Sequence, residues 1–282
     1  MSAAPLPRAV PVASRPLLSI DSLCKCYFKH EAKLEILRDI SINIREGEFV
    51  SIVGASGCGK TTFLRLVDGL IGATSGTVRL DGQVITKPGP KIAFVFQQDC
   101  LLPWRTVLDN TILGPEIQGG DRKGFRKLAR DMLALVGLAG FDGHYPHELS
   151  GGMRQRVNIA RALAVGPDIL LMDEPFAALD AQTRVIMQTE LMRICRETGK
   201  TVLFVTHQID EAVYLSDRVL VFTARPGRLK EEVRIDLPRP RELACKWTPE
   251  FARNNDHNWH SIEEEVRASI GIEMQQRAGT RA

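Results

Sequence analysis

The sequence predicts an α/β fold in which a parallel sheet is interrupted by a mainly helical insert. Five short apolar runs have the length and composition of strands that are buried on both faces of a parallel sheet. A glycine-rich segment follows the first run and precedes a stretch with helical apolar spacing, as expected where a strand leads into a helix. The runs are FVSIVG at 49–54, IAFVF at 92–96, ILLMD at 169–173, VLFVT at 202–206 and RVLVF at 218–222.

The N-terminal part of the chain precedes the first buried run. Residues 1–16 are rich in Pro, Ala and Ser and lack the apolar core of a secretory signal, so we expect a flexible tail. Residues 17–27 and 36–44 alternate well enough between apolar and polar side chains to predict two strands. Cys24 and Cys26 would share one face of the first of these strands because side chains alternate along a strand.

The domain organisation follows from where the strand pattern stops. Residues 98–168 form the predicted helical insert, and FRKLARDMLALVGL at 125–138 is its clearest helix. Residues 236–282 are too short for a second domain, and we name them the C-terminal extension. The main domain is therefore predicted to span residues 17–235.

Composition and charge exclude several classes of protein. With 44% hydrophobic and 25% charged residues, the chain has the composition of an ordinary globular protein. Its net charge of +3 is too small to indicate a nucleic-acid partner. No apolar run approaches the ~18–20 residues of a membrane-spanning helix. The six cysteines are scattered without a CxxC pair, which favours a reduced, cytosolic chain over a disulfide or zinc scaffold.

The segment GASGCGKTT at 54–62 gives the strongest indication of chemistry. It fits the pattern GxxxxGK[ST] and lies between a predicted strand and a predicted helix, the context of a phosphate-binding loop. Backbone N–H groups and the helix N-terminus favour an anion there. We expect Lys60 to reach the β- and γ-phosphates of a nucleotide and Thr61 to bind Mg²⁺. The predicted nucleotide-binding residues are Gly54, Ala55, Ser56, Gly57, Cys58, Gly59, Lys60, Thr61 and Thr62.

Two carboxylates follow one another at the end of the predicted strand at 169–173. In LLMDEP, Asp173 and Glu174 stand where the chain leaves the strand, so both can face the phosphate loop. Beside such a loop, the first acid binds Mg²⁺ and the second orients the attacking water. A solvated pair before a proline turn would explain DEP alone, but the combination with the phosphate loop favours metal binding and catalysis.

The order of motifs along the chain resembles the ATP-binding-cassette (ABC) family. GASGCGKTT, VFQ, LSGGMRQR, ILLMDEP, ALD and VTH follow one another within residues 17–235, and six motifs in this order are very specific. VFQQDCLLPWRTVLDN, HELSGGMRQRVNIARAL and TARPGR are similar to segments of bacterial importer ATPases for nitrate, taurine, aliphatic sulfonates and bicarbonate. The resemblance implies a P-loop NTPase core with an N-terminal antiparallel β-subdomain. It also implies an ATPase that energises uptake of a small anion such as taurine or another sulfonate.

The resemblance also implies roles for residues outside the phosphate loop. Gln97 would contact Mg²⁺ and the attacking water, and His207 would hydrogen-bond the γ-phosphate. Tyr27 would stack on adenine, with its neighbour Phe28 as the alternative. Asp180 would lie at the contact between two nucleotide-binding domains.

The stretch LSGGMRQR at 149–156 contains no acid, base or metal ligand, yet it can start a helix. Ser150 is a good N-cap, and a helix N-terminus favours an anion. The chain's own ATP is already surrounded by other residues, so a second phosphate surface is useful only against the ATP of another copy. A Cβ at Gly151 or Gly152 would keep the two surfaces apart. We predict a head-to-tail homodimer in which each site is completed by Ser150, Gly151, Gly152 and Asp180 of the opposite chain.

Partners outside the chain follow from the same resemblance. The protein would lie peripherally on the cytoplasmic side of the bacterial inner membrane, bound to permease subunits that receive solute from a periplasmic or extracellular binding protein. Trp104, in LLPWRTVLDN at 101–110, would line a groove for a permease helix. The alternative is that Leu101, Leu102 and Trp104 form the core of the insert.

Other solutes and other classes of ABC protein stay open as alternatives. Nitrate, bicarbonate and a pyrimidine precursor are the other candidate solutes. A soluble ABC protein of DNA repair or translation, an exporter and a small-molecule kinase are the other classes. A single cassette without sustained heptads, zinc cysteines or a fused membrane segment argues against the first two, and LSGGMRQR has no place in the third.

Overall fold

The structure is a computed structural model that describes residues 15–29, 32–119 and 122–279. Of the predicted tail at 1–16, only Arg15 and Pro16 fall within these ranges. The strands are β1 (Leu18–Lys29), β2 (Ala32–Ile44), β3 (Phe49–Gly54), β4 (Ser75–Leu80), β5 (Gln83–Val84), β6 (Ile92–Val95), β7 (Ile169–Asp173), β8 (Thr201–Val205), β9 (Arg218–Phe222) and β10 (Leu229–Arg234). The helices are α1 (Lys60–Val67), α2 (Val107–Thr111), α3 (Leu113–Gln118), α4 (Arg122–Leu135), α5 (Gly151–Ala164), α6 (Ala181–Thr198), α7 (Ile209–Leu215) and α8 (Pro249–Gly279).

The central sheet has six strands in the order β10-β9-β3-β8-β7-β6. All pairs are parallel except β10 with β9, which is antiparallel. Every residue of β3, β7 and β8 is buried, which explains why the sequence shows continuous apolar runs there. All five runs predicted as strands belong to this sheet.

Alternate residues of the central strands pack into two separate cores. In β8, Val202 and Phe204 join one apolar cluster, whereas Leu203 and Val205 join the other. The first cluster continues into the helical insert and the C-terminal extension. The second continues into α1 and the antiparallel strands near the N-terminus. The period-two alternation of a strand thus joins both layers of the molecule through one sheet.

A second sheet precedes and flanks the central one, with strand order β2-β1-β4-β5 and antiparallel pairing throughout. Its long hairpin covers more residues than the 17–27 and 36–44 predicted, and shifts in register between Ile20 and Cys26 interrupt the pairing of β1 with β2. Cys26 is buried, whereas Cys24 is half-buried, and its sulfur accepts a bond from Asp39 N at 3.2 Å.

The region between β6 and β7, where the sequence predicts a helical insert at 98–168, contains α2, α3, α4 and α5. Several of its apolar side chains, including Ala129, Leu133 and Val157, are fully buried and continue the first core. The insert therefore places the N-terminus of α5 at a fixed position relative to the sheet. No helix in the ranges described is long and apolar enough to cross a membrane.

The C-terminal extension packs on the main domain. Phe251, Asn258 and Ile262 of α8 are buried at helical spacing. Before α8, the Arg241 guanidinium is 5% exposed and donates to the carbonyls of Val213, Tyr214 and Ser216, where α7 ends. These contacts satisfy carbonyls that a helix C-terminus leaves without partners.

Candidate functional site

The phosphate loop connects β3 to α1, as predicted. Gly59 precedes α1 with a φ of 110°, and a Cβ built on it would lie 2.7 Å from Leu37 Cδ2. Only glycine fits this position, because the backbone is left-handed and β2 lies close behind it. The buried Lys60 donates from Nζ to Gly54 O at 2.8 Å and to Ala55 O at 3.0 Å. The ammonium group therefore lies at the mouth of its own loop.

A turn formed by residues 223–228 contacts the back of the phosphate loop. The Arg225 guanidinium donates from Nη2 to Gly57 O at 2.9 Å, and a Cβ on Gly227 would lie 2.3 Å from Cys58 O. A guanidinium on the carbonyl side of the loop does not compete for the loop's N–H groups, which are the groups that bind phosphate. Sequence reasoning used TARPGR only for its resemblance and missed this contact.

Thr61 and Asp173 meet at the carboxyl edge of the sheet. Thr61 Oγ1 donates to Asp173 Oδ1 at 3.1 Å, although 112 residues separate them. A hydroxyl and a carboxylate are the oxygen ligands that Mg²⁺ prefers beside a nucleotide, so the pair fits the predicted metal site. Burial raises the pKa of Asp173, and the hydrogen bond from Thr61 opposes that rise. A cation beside Asp173 would favour its charged form.

Glu174 and His207 form the second pair at this edge. His207 Nδ1 lies 3.2 Å from Glu174 Oε2, and both side chains reach solvent. Glu174 has a φ of 46°, and its N–H donates to Val205 O at 2.9 Å. A left-handed glutamate costs roughly 1–3 kcal/mol, and such strain clusters at functional sites. The turn after β7 thus directs the Glu174 carboxylate towards His207, which lies two residues after the end of β8.

The structure leaves the roles of Gln97 and Tyr27 as predictions. Gln97 is exposed two residues after β6, and within the described ranges no hydrogen bond joins it to Asp173 or Glu174. Tyr27 is 45% exposed in β1, with Lys25 Nζ 4.9 Å from its ring centroid. Phe28 is 70% exposed, so both aromatic rings are open to an adenine.

The stretch LSGGMRQR starts α5 as predicted. Ser150 is the N-cap, and its Oγ accepts a bond from Met153 N at 3.3 Å. Gly151 is exposed, and a Cβ there would meet only ordinary contacts, the nearest being Leu179 Cδ2 at 3.8 Å. Ser150 and Gly151 therefore leave the N-terminus of α5 open to solvent.

The structure corrects the expectation for Gly152. This residue is buried, and a Cβ on it would lie 2.7 Å from Thr183 Cγ2 of the same chain. Its small size therefore permits the packing of α5 on α6 and does not by itself keep a surface open for another copy. Asp180 caps the same α6, accepting from Gln182 N at 3.1 Å and Thr183 N at 3.0 Å. The N-termini of α5 and α6 consequently lie together.

Three polar side chains of α5 connect this helix to residues on both sides of Gln97. Arg161 donates from Nη1 to Cys100 O and from Nη2 to Asp99 O, both at 2.7 Å. Arg154 Nε donates to Asp99 Oδ2 at 3.0 Å, and Asn158 Nδ2 donates to Phe96 O at 3.5 Å. The spacing of these three residues at i, i+4 and i+7 was the available signal of a common helix face.

The candidate docking residues divide between core and surface. Leu101 is only 9% exposed and joins the first core, so the core interpretation holds for it. Trp104 is 72% exposed, which favours docking for the aromatic side chain. Next to it, Arg105 pairs with Glu116 at 2.6 Å.

The chain is similar to known ATP-binding proteins over most of its length. A family model described as ABC transporter matches residues 37–177. An uncharacterised ABC transporter ATP-binding protein of Methanocaldococcus jannaschii is 49% identical over 90% of this chain and 94% of its own length. A taurine import ATP-binding protein of Rhizobium johnstonii is 47% identical over 82% of this chain and 87% of its length. A nitrate import ATP-binding protein of Synechococcus elongatus is 46% identical over 82% of this chain but only 36% of its length.

One solved structure with a similar fold is a dimeric ATP-binding cassette in a post-hydrolysis state, bound to ADP and phosphate. It is 36% identical to this chain, with a TM-score of 0.68, and the match covers 78% of this chain and all of the other.

Proposed function

This chain belongs to the ABC transporter family of ATP-binding proteins, and from that membership we propose that it is the ATP-hydrolysing subunit of an importer for a small anion such as taurine or another sulfonate. One observation supports the hydrolytic role most directly. The pairs Thr61–Asp173 and Glu174–His207 lie together with the phosphate loop at the carboxyl edge of one parallel sheet. Ligands bind at that edge in open α/β sheets.

In this proposal the residues of the loop bind the phosphates of ATP. Backbone N–H groups from Gly57 to Thr62 and the N-terminus of α1 surround the β-phosphate, and Lys60 turns from its own loop carbonyls to the β- and γ-phosphates. Thr61, Asp173 and Gln97 would bind Mg²⁺. When bound, the metal would supply positive charge that neutralises the phosphates of the nucleotide.

Glu174 and His207 divide the remaining work of hydrolysis. Glu174 accepts a hydrogen bond from the attacking water and orients it in line with the γ-phosphate. His207 leaves Glu174, which it contacts in the structure, and donates to a γ-phosphate oxygen. Water thereby reacts only when both side chains face the nucleotide.

The site is completed by a second copy of the chain. Ser150 and Gly151 of one protomer would contact the γ-phosphate bound by its partner, and Asp180 would lie at the contact between the two. The open N-terminus of α5 supports this arrangement, and so does similarity to a cassette whose structure is dimeric with ADP and phosphate. ATP then stabilises the dimer, and hydrolysis releases it.

The first experiment measures ATP hydrolysis by the purified chain with and without Mg²⁺. We expect Mg²⁺-dependent turnover, and we expect Glu174→Gln to lower kcat by about 100-fold or more while ATP still binds. Turnover of Glu174→Gln equal to that of the wild-type chain would contradict the assignment.

The transported solute is decided by other proteins of the importer. Relatives named for taurine and for nitrate are almost equally similar to this chain, at 47% and 46% identity. A thermal-shift screen of the cognate solute-binding protein with taurine, alkanesulfonates, nitrate and bicarbonate identifies the solute. Stabilisation by nitrate or bicarbonate alone would overturn the sulfonate proposal. A permease gene beside this one separates an importer from a soluble ABC protein.

A further inference from the structure

The backbone around His207 is anchored by a buried carboxylate that has no part in the chemistry above. Thr206 is 1% exposed and Glu211, in the first turn of α7, is 4% exposed. The Thr206 hydroxyl donates to Glu211 Oε2 and accepts from Gln208 N at 3.0 Å. The residues on both sides of His207 are thus tied to one carboxylate.

Glu211 does not serve α7 as an ordinary cap. It occupies the third position of the helix, from which a glutamate can accept directly from the N–H of the N-cap residue, here Gln208. Its carboxylate instead bonds the Thr206 hydroxyl, and the hydroxyl receives that N–H. The N–H of Gln208 is therefore linked to Glu211 through the hydroxyl of Thr206, the residue immediately before His207.

The other oxygen of Glu211 leads to the C-terminal extension. Glu211 Oε1 accepts from Gln188 Nε2 of α6 at 3.0 Å, and Gln188 Oε1 accepts from Lys246 Nζ at 3.1 Å. The Lys246 ammonium also lies 4.7 Å from the Tyr214 ring centroid and 3.3 Å from Asp210 Oδ2. Because an amide can donate only from its nitrogen, the bond from Lys246 fixes which end of Gln188 faces Glu211.

A buried carboxylate is destabilising without hydrogen-bond partners, and Glu211 has two such partners, Thr206 and Gln188. Burial raises the pKa of Glu211, and the bonds from Thr206 and Gln188 oppose that rise. Networks of this kind fix side chains in one arrangement only when every member has its partner. Removal of one member therefore loosens the backbone on which His207 stands.

We propose that Glu211 is a positioning residue for His207, acting through Thr206, and that Lys246 of the C-terminal extension orients it through Gln188. The inference rests on the proposed ATPase function, since His207 must reach the γ-phosphate for its position to affect turnover. It assigns the extension a role in hydrolysis.

The central test replaces one hydroxyl near His207 and a matched one far from it. Thr201 is the first residue of β8, and Thr206 directly follows the strand. Both residues are buried, and each hydroxyl accepts a bond from a backbone N–H. We expect Thr206→Val to lower kcat about tenfold with KM for ATP within about twofold of wild type, because misplacement of a catalytic group acts on the transition state. Thr206→Ser restores the hydroxyl and kcat, and Thr201→Val keeps wild-type kcat. Wild-type kcat in Thr206→Val, or an equal loss in Thr201→Val, would overturn the proposal.

The link to the extension is tested by Lys246→Met, which keeps the apolar stem and removes the ammonium. We expect kcat to fall by at least about twofold, and the same change on a Thr206→Val background to add little, because coupled residues are not additive. Fully additive losses, or no loss from Lys246→Met, would show that the extension does not act through Thr206.

A readout independent of hydrolysis separates this inference from the proposed function. The His207 imidazole signals are assigned in proton–carbon NMR spectra by comparison with His207→Ala. They should shift in Thr206→Val and Lys246→Met and stay in place in Thr201→Val. If wild-type hydrolysis depends on Glu174 while neither kcat nor these signals respond to Thr206→Val, the positioning role is refuted and the ATPase stands. If the signals respond but the chain hydrolyses no ATP, the ATPase proposal alone fails.

Discussion

Asp68, directly after α1, is a buried carboxylate for which the proposed chemistry has no use. It is 6% exposed, and burial raises its pKa to about 7. A helix C-terminus is also an unfavourable place for a negative charge. An ordinary aspartate in the unfolded chain titrates near 3.8. Between these two values the folded chain binds the proton more tightly, so stability falls as pH rises through this window.

Replacement of Asp68 by Asn should remove this pH dependence. We expect Asp68→Asn to raise Tm by several degrees at about pH 8, where the wild-type chain carries a buried charge, and to change Tm little at about pH 4–5. Thermal melts of both proteins at the two pH values check this. Equal gains at both would show that burial of the charge is not the cause.

At the scale of residues, sequence motifs predicted the groups proposed to perform chemistry but missed those that support them. Lys60, Asp173, Glu174 and His207 could be predicted because each lies at or after the end of a strand in a recognisable pattern. Arg225 was missed because its partner Gly57 lies 168 positions away, and the link from Glu211 to the C-terminal extension was missed because it passes through Gln188, 23 positions away. Such contacts depend on how the strands are ordered in the sheet, and no local pattern contains that order.

At the scale of elements, prediction succeeded where the apolar pattern was simple. The five buried strands were continuous apolar runs because both faces of the sheet are covered. The helix α8 was only partly found because its buried stripe contains Asn258 between Phe251 and Ile262, which interrupts the apolar period. The helix also contacts β10 through ion pairs. His257 of α8 lies 2.8 Å from Glu231 of β10, and Glu265 of α8 lies 2.9 Å from Lys230 of β10.

The N-terminus of α5 gives a prediction about the dimer. In a Glu174→Gln background, ATP should produce a dimer in size-exclusion chromatography, and Gly151→Asp should abolish it because a carboxylate would face the partner's γ-phosphate. Gly151→Asn is the uncharged control and should weaken the dimer less. An ATP-dependent dimer that survives Gly151→Asp would refute the composite site.

Gly152 is unsuitable for that test because it faces its own chain. A Cβ there would collide with Thr183, so Gly152→Ala should lower Tm whether or not a dimer forms. Misfolding and a lost contact between protomers would both remove the dimer in that variant, so the result would not distinguish them.

At the scale of the whole molecule, the proposed ATP site and the proposed docking surface share one helix. The N-terminus of α5 would face a partner's nucleotide, while its Arg154 and Arg161 bind the segment that leads from Gln97 towards Trp104. The helical insert therefore connects the helix proposed to face a partner's nucleotide to the segment that precedes the exposed Trp104.

The exposed Trp104 gives the prediction that belongs to this scale. Trp104→Ala should reduce solute uptake by the assembled importer by about tenfold while the isolated subunit keeps its ATPase rate, because truncation of a buried interface aromatic costs the complex and not the monomer. Uptake in proteoliposomes and ATPase in solution are measured side by side. Equal losses in both assays would show that Trp104 is needed for ATP hydrolysis by the subunit itself and not for docking to the permease.

The bonds from Arg161 to the carbonyls of Asp99 and Cys100 have a thermodynamic consequence. If nucleotide at Gln97 displaces this segment and thereby changes the affinity of the Trp104 surface for a permease, then permease binding must change the affinity for nucleotide by the same factor. The reciprocity holds whichever ligand arrives first. A permease that has received its solute would then change how tightly this chain binds ATP. The membrane subunit would therefore regulate this chain in addition to being driven by it.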